Sequence, residues 1–529
     1  MNRQASTKSL AFAIAAALGG HASGVDAVVL DARGAGQVLI YPYYTVNHQQ
    51  TLISLVNATD VPAALKVRFR EGYDGREVAS FNLYLGGADT WVGSVFDTSG
   101  DGSGGAAIAT TDSSCTVPQF DSTFFPGGAK VLAFSNKNYS QGDYGTPTGT
   151  DSGPTGLDRT REGFIEVIQM GTVAGSSGNA LLPFASGAPQ NCPQLVNAWM
   201  TGGYWATDPG VDLGRPIGGL YGAAGIVDVA EGTLYSYDAT AIDGFSDIVQ
   251  HTAPGDPKPN LSTAVTDSAH DIATAYVPIG NAMIKADYPA STRAVDAVSA
   301  VLMADTLFNE FDIEPDLGAS SDWVVTFPTK QFYVDPGIVG TADSGILPPF
   351  SELWLSRAGS MYGLACNPAG YRLYDREGSI AAAPSLSDVP PATSNYLCYQ
   401  TSVLPLRTYS SLSPTEALAS SLFNRSVPED RPILGPAPQS ASGHFLLSFT
   451  QSYIQHGATY TVGESFVPQA LRPSFDGNVF PGLPAIGFLA VNYINANVAP
   501  GVLSNYSAAY PHRSTASCTN STNPQSVCQ

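Results

Sequence analysis

Ala64–Gly72 reads ALKVRFREG, with Leu65, Val67 and Phe69 alternating strictly with Lys66, Arg68 and Arg70. A period of two is the repeat of a β-strand, whose successive side chains point to opposite faces. The run is expected to turn three apolar side chains inward and three cations outward. Its neighbours are of the same kind. Gly36–Val46 (GQVLIYPYYTV), Thr51–Thr59 (TLISLVNAT) and Ala79–Phe96 (ASFNLYLGGADTWVGSVF) are rich in β-branched and aromatic residues, and Asp60-Val61-Pro62 supplies a turn between two of them. With 54 Gly and 38 Pro, turns are frequent and long helices cannot dominate. The expected fold is mostly β, two sandwich-like antiparallel β domains with a few short helices.

The chain opens with a basic start at Arg3 and Lys8, a short apolar run over Leu10–Leu18 and small residues at Val25-Asp26-Ala27. That is the pattern of a secretory signal over residues 1–27. No later run reaches the roughly 18 uninterrupted apolar residues of a membrane helix, so no transmembrane segment is expected. The mature protein is expected to be exported, extracellular or on the cell surface, with the periplasm as the alternative.

The first 27 residues hold Arg3, Lys8 and Asp26, and their removal leaves 22 basic against 44 acidic side chains. Such an excess repels nucleic acid and anionic lipid, and both are set aside as partners. Cys115, Cys192, Cys366, Cys398, Cys518 and Cys528 are an even set in an exported chain and read as disulfides. Pairing between sequence neighbours is the expected arrangement.

Residues 28–250 read as an N-terminal sandwich-like domain. Residues 251–290 begin with the linker-like HTAPGDPKPN, and 291–529 read as a C-terminal β-rich domain with short helices. Three helices are signed: Cys192–Met200 with Pro193 in its first turn, Ser291–Phe308 with Ser291 as its cap, and Ser413–Phe423. Gly225–Val229 and Thr233–Asp238 read as a hairpin. Ala319–Asp335 (ASSDWVVTFPTKQFYVD) reads as a strand with a decorated edge. Trp323, Val325 and Phe327 share one face and Asp322, Val324 and Thr326 the other; Pro328 marks an edge or bulge, and Phe332 and Val334 resume the apolar face. Glu310, Asp312 and Glu314 form an acidic strand face that is expected to be solvated.

The motifs that carry chemistry are few. Asp97, Ser99 and Asp101, followed by Gly102, match the first half of a calcium loop, but position 12 of that loop is Ile108 rather than Glu. Calcium is the one cofactor this suggests. The same DTSGDGSGG differs from a serine-protease GDSGG by the inserted Gly102, and the required His and Asp motifs do not precede Ser103. No G-x-S-x-G, H-E-x-x-H, P-loop or dinucleotide fingerprint occurs, and no catalytic residue is assigned. Glu166, within FIEVIQM, is expected to be buried and to need a cation, with Arg159 or Arg161 as candidates. His270 and His444 are lone histidines and read as structural.

The runs GQVLIYPYYTVN, TLISLVNATDVPAALKVRFREG with FNLYL after it, and SSDWVVTFPTKQFYVD together resemble recurring segments of large exported proteins of Gram-negative bacteria, a group without an assigned enzyme activity. The resemblance covers about a quarter of the chain. It implies export and a β-rich fold, and it carries no catalytic motif.

Two functional expectations follow. The first is a non-enzymatic exported protein of the cell surface or extracellular matrix, acting by binding or self-assembly, its partner a surface polymer or itself. Exposed edge strands would be the route. The alternative is an exported carbohydrate-active protein that binds or hydrolyses polysaccharide, with Trp91, Trp199, Trp205, Trp323 and Trp354 as stacking platforms.

Overall fold

The computed structural model describes residues 27–529 except 101–103, 124–127, 141–153, 184–186, 340–346, 352–364, 380–394, 407–421, 424–439, 457–458, 466–468, 496–498, 500–501, 503, 522–527 and 529. Strands take 48% and helices 12%, which makes the chain mostly β. Its main sheets are antiparallel and face each other in pairs.

The first pair joins an eight-stranded to a six-stranded sheet. The former runs Val29–Leu30, Thr240–Asp243, Val38–Thr45, Glu162–Val173, Ala63–Glu71, Glu77–Leu85 and Cys115–Val117, and Leu213–Gly214 also pairs with Glu162–Val173. The latter runs Thr233–Asp238, Leu220–Asp228, Gln50–Asn57, Thr90–Asp97, Ala106–Thr110 and Lys130–Ala133. Leu65, Val67 and Phe69 from one sheet meet Ile53, Val95 and Ile226 from the other in a shared core, as the period of two requires.

The second pair is smaller. Asn395–Leu397, Asn367–Asp375, Ser442–Ser448, Thr306–Asp312 and Arg513–Thr515 form a five-stranded sheet. Thr401–Leu406, Ala319–Thr326, Ile486–Tyr493 and Tyr506–Pro511 form the four-stranded sheet against it. Trp323 crosses between them, its ring 4.5 Å from that of Phe445. The opposite face of the four-stranded sheet is covered too. Val324, Val403 and Phe488 join the first core, and Phe488 stacks on Tyr237 at 4.6 Å. Ala319–Thr326 therefore lies inside its sheet and is buried on both faces, which accounts for the run WVVT.

Several expectations change at this level. After Pro328 the chain turns and forms the short helix Gln331–Val334 rather than resuming a strand. The stretch expected as a linker is packed. Leu261 is fully buried, and Ile272–Ile279 pairs with Ala282–Pro289 in a hairpin whose Ala273, Ala275 and Tyr288 enter the core. The next helix is Ala290–Leu302, ending before Phe308 because Met303 turns extended and pairs with Pro484. Ser291 lies within that helix; Asp271 accepts its N–H at 2.8 Å and its hydroxyl at 2.6 Å. The helix Cys192–Ala198 and the pairing of Leu220–Asp228 with Thr233–Asp238 agree with the sequence signals. The helix signed at Ser413–Phe423 lies outside the described residues apart from Leu422 and Phe423.

The disulfides are Cys115–Cys192, Cys366–Cys398 and Cys518–Cys528, each joining sequence neighbours. They fit a compartment outside the reducing cytoplasm. Among the described residues no helix is long and apolar enough to cross a membrane.

Candidate functional site

The cations of ALKVRFREG do not face water. Lys66, Arg68 and Arg70 are all buried: the segment 251–263 meets Lys66 and Arg68 on that face of the eight-stranded sheet, and Arg70 donates to the Gly75 carbonyl and to Gln331. Alternation had separated the two faces correctly; the second face is covered by chain rather than solvent. Lys66 Nζ donates to the Ala253 carbonyl at 2.8 Å, and Arg68 donates to those of Pro259 and Asp256 at 2.7 and 3.1 Å. Burial, reinforced by the neighbouring Arg68, pushes the Lys66 amine down to about 7.

Glu166 is buried as expected, but its cations are different ones. The ladder sets it directly opposite Arg68, and its carboxylate pairs with Arg70 at 2.8 Å and Arg68 at 3.6 Å. Arg159 is engaged by Glu71 at 2.9 Å and Asp74 at 3.1 Å, and Arg161 by Asp97 at 3.2 Å. The polar residues of Ala319–Asp335 extend the same layer. Asp335 pairs with Arg76, Lys330 donates to the Tyr399 carbonyl at 2.7 Å, and Asp322 accepts the Leu422 N–H at 2.7 Å. Tyr333 donates towards Asp296 and Ser299, each at 2.8 Å. These groups are partnered inside the protein, so the decorated stretch joins sheets and loops rather than presenting reagents.

Asp97 ends its strand with one carboxylate oxygen accepting from Ser99 and the other facing Arg161. Asp101, the third member of the calcium-loop pattern, lies outside the described residues. Among the described residues no three His, Cys, Asp or Glu side chains gather to hold a metal. His270 is exposed and pairs with Asp267 at 2.7 Å.

Among the described tryptophans, three are closed off from any ligand. Trp91, Trp205 and Trp323 are fully buried, Trp199 is half-buried with its indole donating to Tyr84 at 2.8 Å, and Trp354 lies outside the described residues.

Among the described residues, two open surfaces contrast in their chemistry. The first is a groove of about 880 Å³ at the mouth of the second sheet pair. It exists because the last strand changes sheets. Tyr506–Pro511 pairs within the four-stranded sheet, His512 makes the corner, and Arg513–Thr515 then pairs with the five-stranded sheet only along Thr306–Phe308. Half-buried His512 holds the corner, its Nε2 2.9 Å from the Val324 carbonyl, with Asn309 donating to the carbonyls of Tyr510 and Pro511. Beyond Phe308 that edge of Thr306–Asp312 has no strand partner among the described residues, and it borders a groove whose lining includes Leu489 and Val491. Glu310, expected to be solvated, is exposed and lies 3.2 Å from Arg513. Asp312 accepts the Tyr493 hydroxyl at 3.2 Å, and burial followed by the Asp312 charge raises the pKa of that phenol. Exposed His444 stacks on Tyr374 at 4.5 Å, and Tyr510 is 51% exposed.

The second surface is the outer face of the six-stranded sheet, a shallow depression of about 560 Å³. Its register aligns Ser236, Gly225, Leu52, Ser94 and Ala109 in one cross-strand row. Leu52, Val92 and Leu234 stand proud of the small residues, each nearly half-exposed. At Gly225 the absence of a side chain leaves room for the Leu234 methyl, which a Cβ there would meet at 2.8 Å. No charged side chain lines the depression. Both sheet edges beside it are covered. Val131 exchanges backbone hydrogen bonds with Asp121, and Ser507 Oγ bonds both the N–H and the carbonyl of Leu234.

Sequence reading missed Tyr493, Tyr510 and Arg513 entirely. Leu52 and Val92 left a trace, as apolar residues on the outward phase of their strands. No family model, curated protein or solved structure shows significant similarity to the chain.

Proposed function

We propose that this chain is an exported, non-enzymatic protein of the cell surface or extracellular matrix that acts by assembling with further copies of itself. The observation that carries the reading is the depression on the outer face of the six-stranded sheet, where the described lining holds no charged side chain and the nearest exposed charge on the same strand phase is Asp238. Exposed apolar surface of this kind, contiguous rather than scattered, is where soluble β proteins meet partners.

A second copy is the occupant that the chemistry favours. The chain has a net charge of −21, so two copies repel wherever acidic surfaces approach. A depression lined by no charged side chain is where that repulsion is least. Its shape is also self-complementary. Leu52 stands in a row of Ser and Gly on one side and Ser and Ala on the other, so the leucine of a two-fold-related copy fits the valley beside it. Because the flanking edges are already covered, the face supplies the contact rather than strand addition.

The test is the mass of the purified mature protein across a concentration series, by light scattering after gel filtration, with electron microscopy of the largest species. The expected result is a concentration-dependent dimer or larger assembly that Leu52→Asp with Leu234→Asp returns to monomer. A wild-type protein that stays monomeric at every concentration would refute the proposal.

A further inference from the structure

We infer that the groove along the edge of Thr306–Asp312 in the second sheet pair is a binding site for a neutral or amino-sugar polysaccharide. It is separate from the face invoked for assembly and does not depend on it.

The side chains that meet here are those that recognise sugars. A pyranose offers a ring face of C–H groups and a rim of hydroxyls that both donate and accept. Tyr510, half-exposed beside the apolar floor of Leu489, gives an aromatic surface for the C–H face. Around it the planar polar groups alternate in kind. Glu310 and Asp312 accept hydrogen bonds, whereas Arg376 and Arg513 donate them in pairs. An apolar floor with a few convergent polar groups is the ordinary composition of a ligand cleft. The groove is open to solvent, which suits a chain passing through it.

Charge narrows the ligand further. The protein repels polyanions as a whole, and the carboxylates Glu310, Asp312 and Asp375 outnumber the two arginines in the groove. Uncharged or cationic sugars therefore fit, and uronic or sulfated polymers do not.

The same geometry points to binding without cleavage. Glycoside hydrolysis needs a pair of carboxyl groups free to face the scissile bond. Glu310 is exposed beside Arg513, and Asp312 accepts from Tyr493.

The experiment uses the full mature chain in affinity electrophoresis through gels containing a neutral glucan, a xylan, glycol chitosan or, as the anionic control, alginate, with reducing ends assayed in parallel. Retardation by at least one neutral or cationic polymer and none by alginate is the expected result. Tyr510→Ala and Arg513→Ala should each weaken it about tenfold or more. Val92→Asp, on the outer face of the six-stranded sheet and outside the groove lining, should leave it unchanged. Both groove positions are exposed, and unchanged melting of the variants separates lost binding from lost folding. Mobility indifferent to every neutral and cationic polymer, retardation that survives Tyr510→Ala and Arg513→Ala, or release of reducing ends would each overturn the inference.

Discussion

Lys66 offers the sharpest test of the buried charge layer. Its side chain is completely buried, its amine donates to the Ala253 carbonyl, and burial first, then Arg68, pushes it from 10.5 down to about 7. The other ionisable groups acting on it are Glu77 and Asp256, which favour its charge without overcoming burial. His251 nearby is pushed by burial to about 4 and stays neutral through the window that matters. Between about pH 7 and 10.5 the folded chain therefore holds fewer protons at this site than the unfolded chain. Stability from this residue should rise with pH across that window and be flat below it, where the amine is charged in both states. The full displacement corresponds to roughly 5 kcal/mol, of which roughly 2 kcal/mol falls between about pH 7 and pH 9. The assay is guanidinium unfolding of the wild-type protein and Lys66→Met at matched pH values with the disulfides intact. Methionine nearly keeps the volume and removes the titrating amine. The difference in stability should shift towards the wild type by roughly 2 kcal/mol over that interval. Parallel curves would mean that the amine stays charged in the folded protein and that the layer is wetter than its packing indicates.

Glu166→Gln should cost about 3 kcal/mol, because Arg70 loses its carboxylate in a dry layer while Arg68 keeps Glu77 at 2.5 Å; a loss below about 1 kcal/mol in the same unfolding assay would contradict the Arg70 pairing. Replacing Cys115 and Cys192 by Ser should destabilise more than replacing Cys518 and Cys528. Their separations of 77 and 10 residues correspond to about 4 and about 3 kcal/mol of loop closure, and calorimetry of the two double variants gives the order.

The physical origin of each feature decides how much of it can be read from the sequence. Strand period is local, so ALKVRFREG, the hairpin at Leu220–Asp238 and the mostly β class are visible in the residues themselves. What covers a second face is not local. Lys66, Arg68 and Arg70 have the alternation of an exposed edge, yet residues almost 200 positions later close over the first two. Glu166 held a clue, since a carboxylate among apolar neighbours demands a cation. Choosing Arg68 and Arg70 over the nearer Arg159 and Arg161 requires the register between Glu162–Val173 and Ala63–Glu71, which no spacing within either strand encodes. The groove is less legible still. It arises where one strand leaves one sheet for another at His512, and it gathers Glu310, Tyr493 and Tyr510 from segments roughly 200 residues apart along the chain.

The burial of cations also bears on how the surface behaves. Among the described residues seven Lys and Arg are buried: Lys66, Arg68, Arg70, Arg76, Arg159, Arg161 and Lys330. Eight carboxylates of the described residues are buried with them, Glu71, Glu166 and Asp335 among them, so the described interior is close to neutral. The negative excess of the described residues is thus left to the surface. Such a surface keeps copies apart in dilute solution and excludes polyanions. It also makes any contact between copies selective for the faces that carry no charge. The layer that holds the first sheet to its covering loops is therefore linked to the surface chemistry on which both proposals rest. Substitutions that moved a cation from the interior to the rim of the six-stranded sheet would be expected to strengthen association, with the charge-free depression itself unaltered.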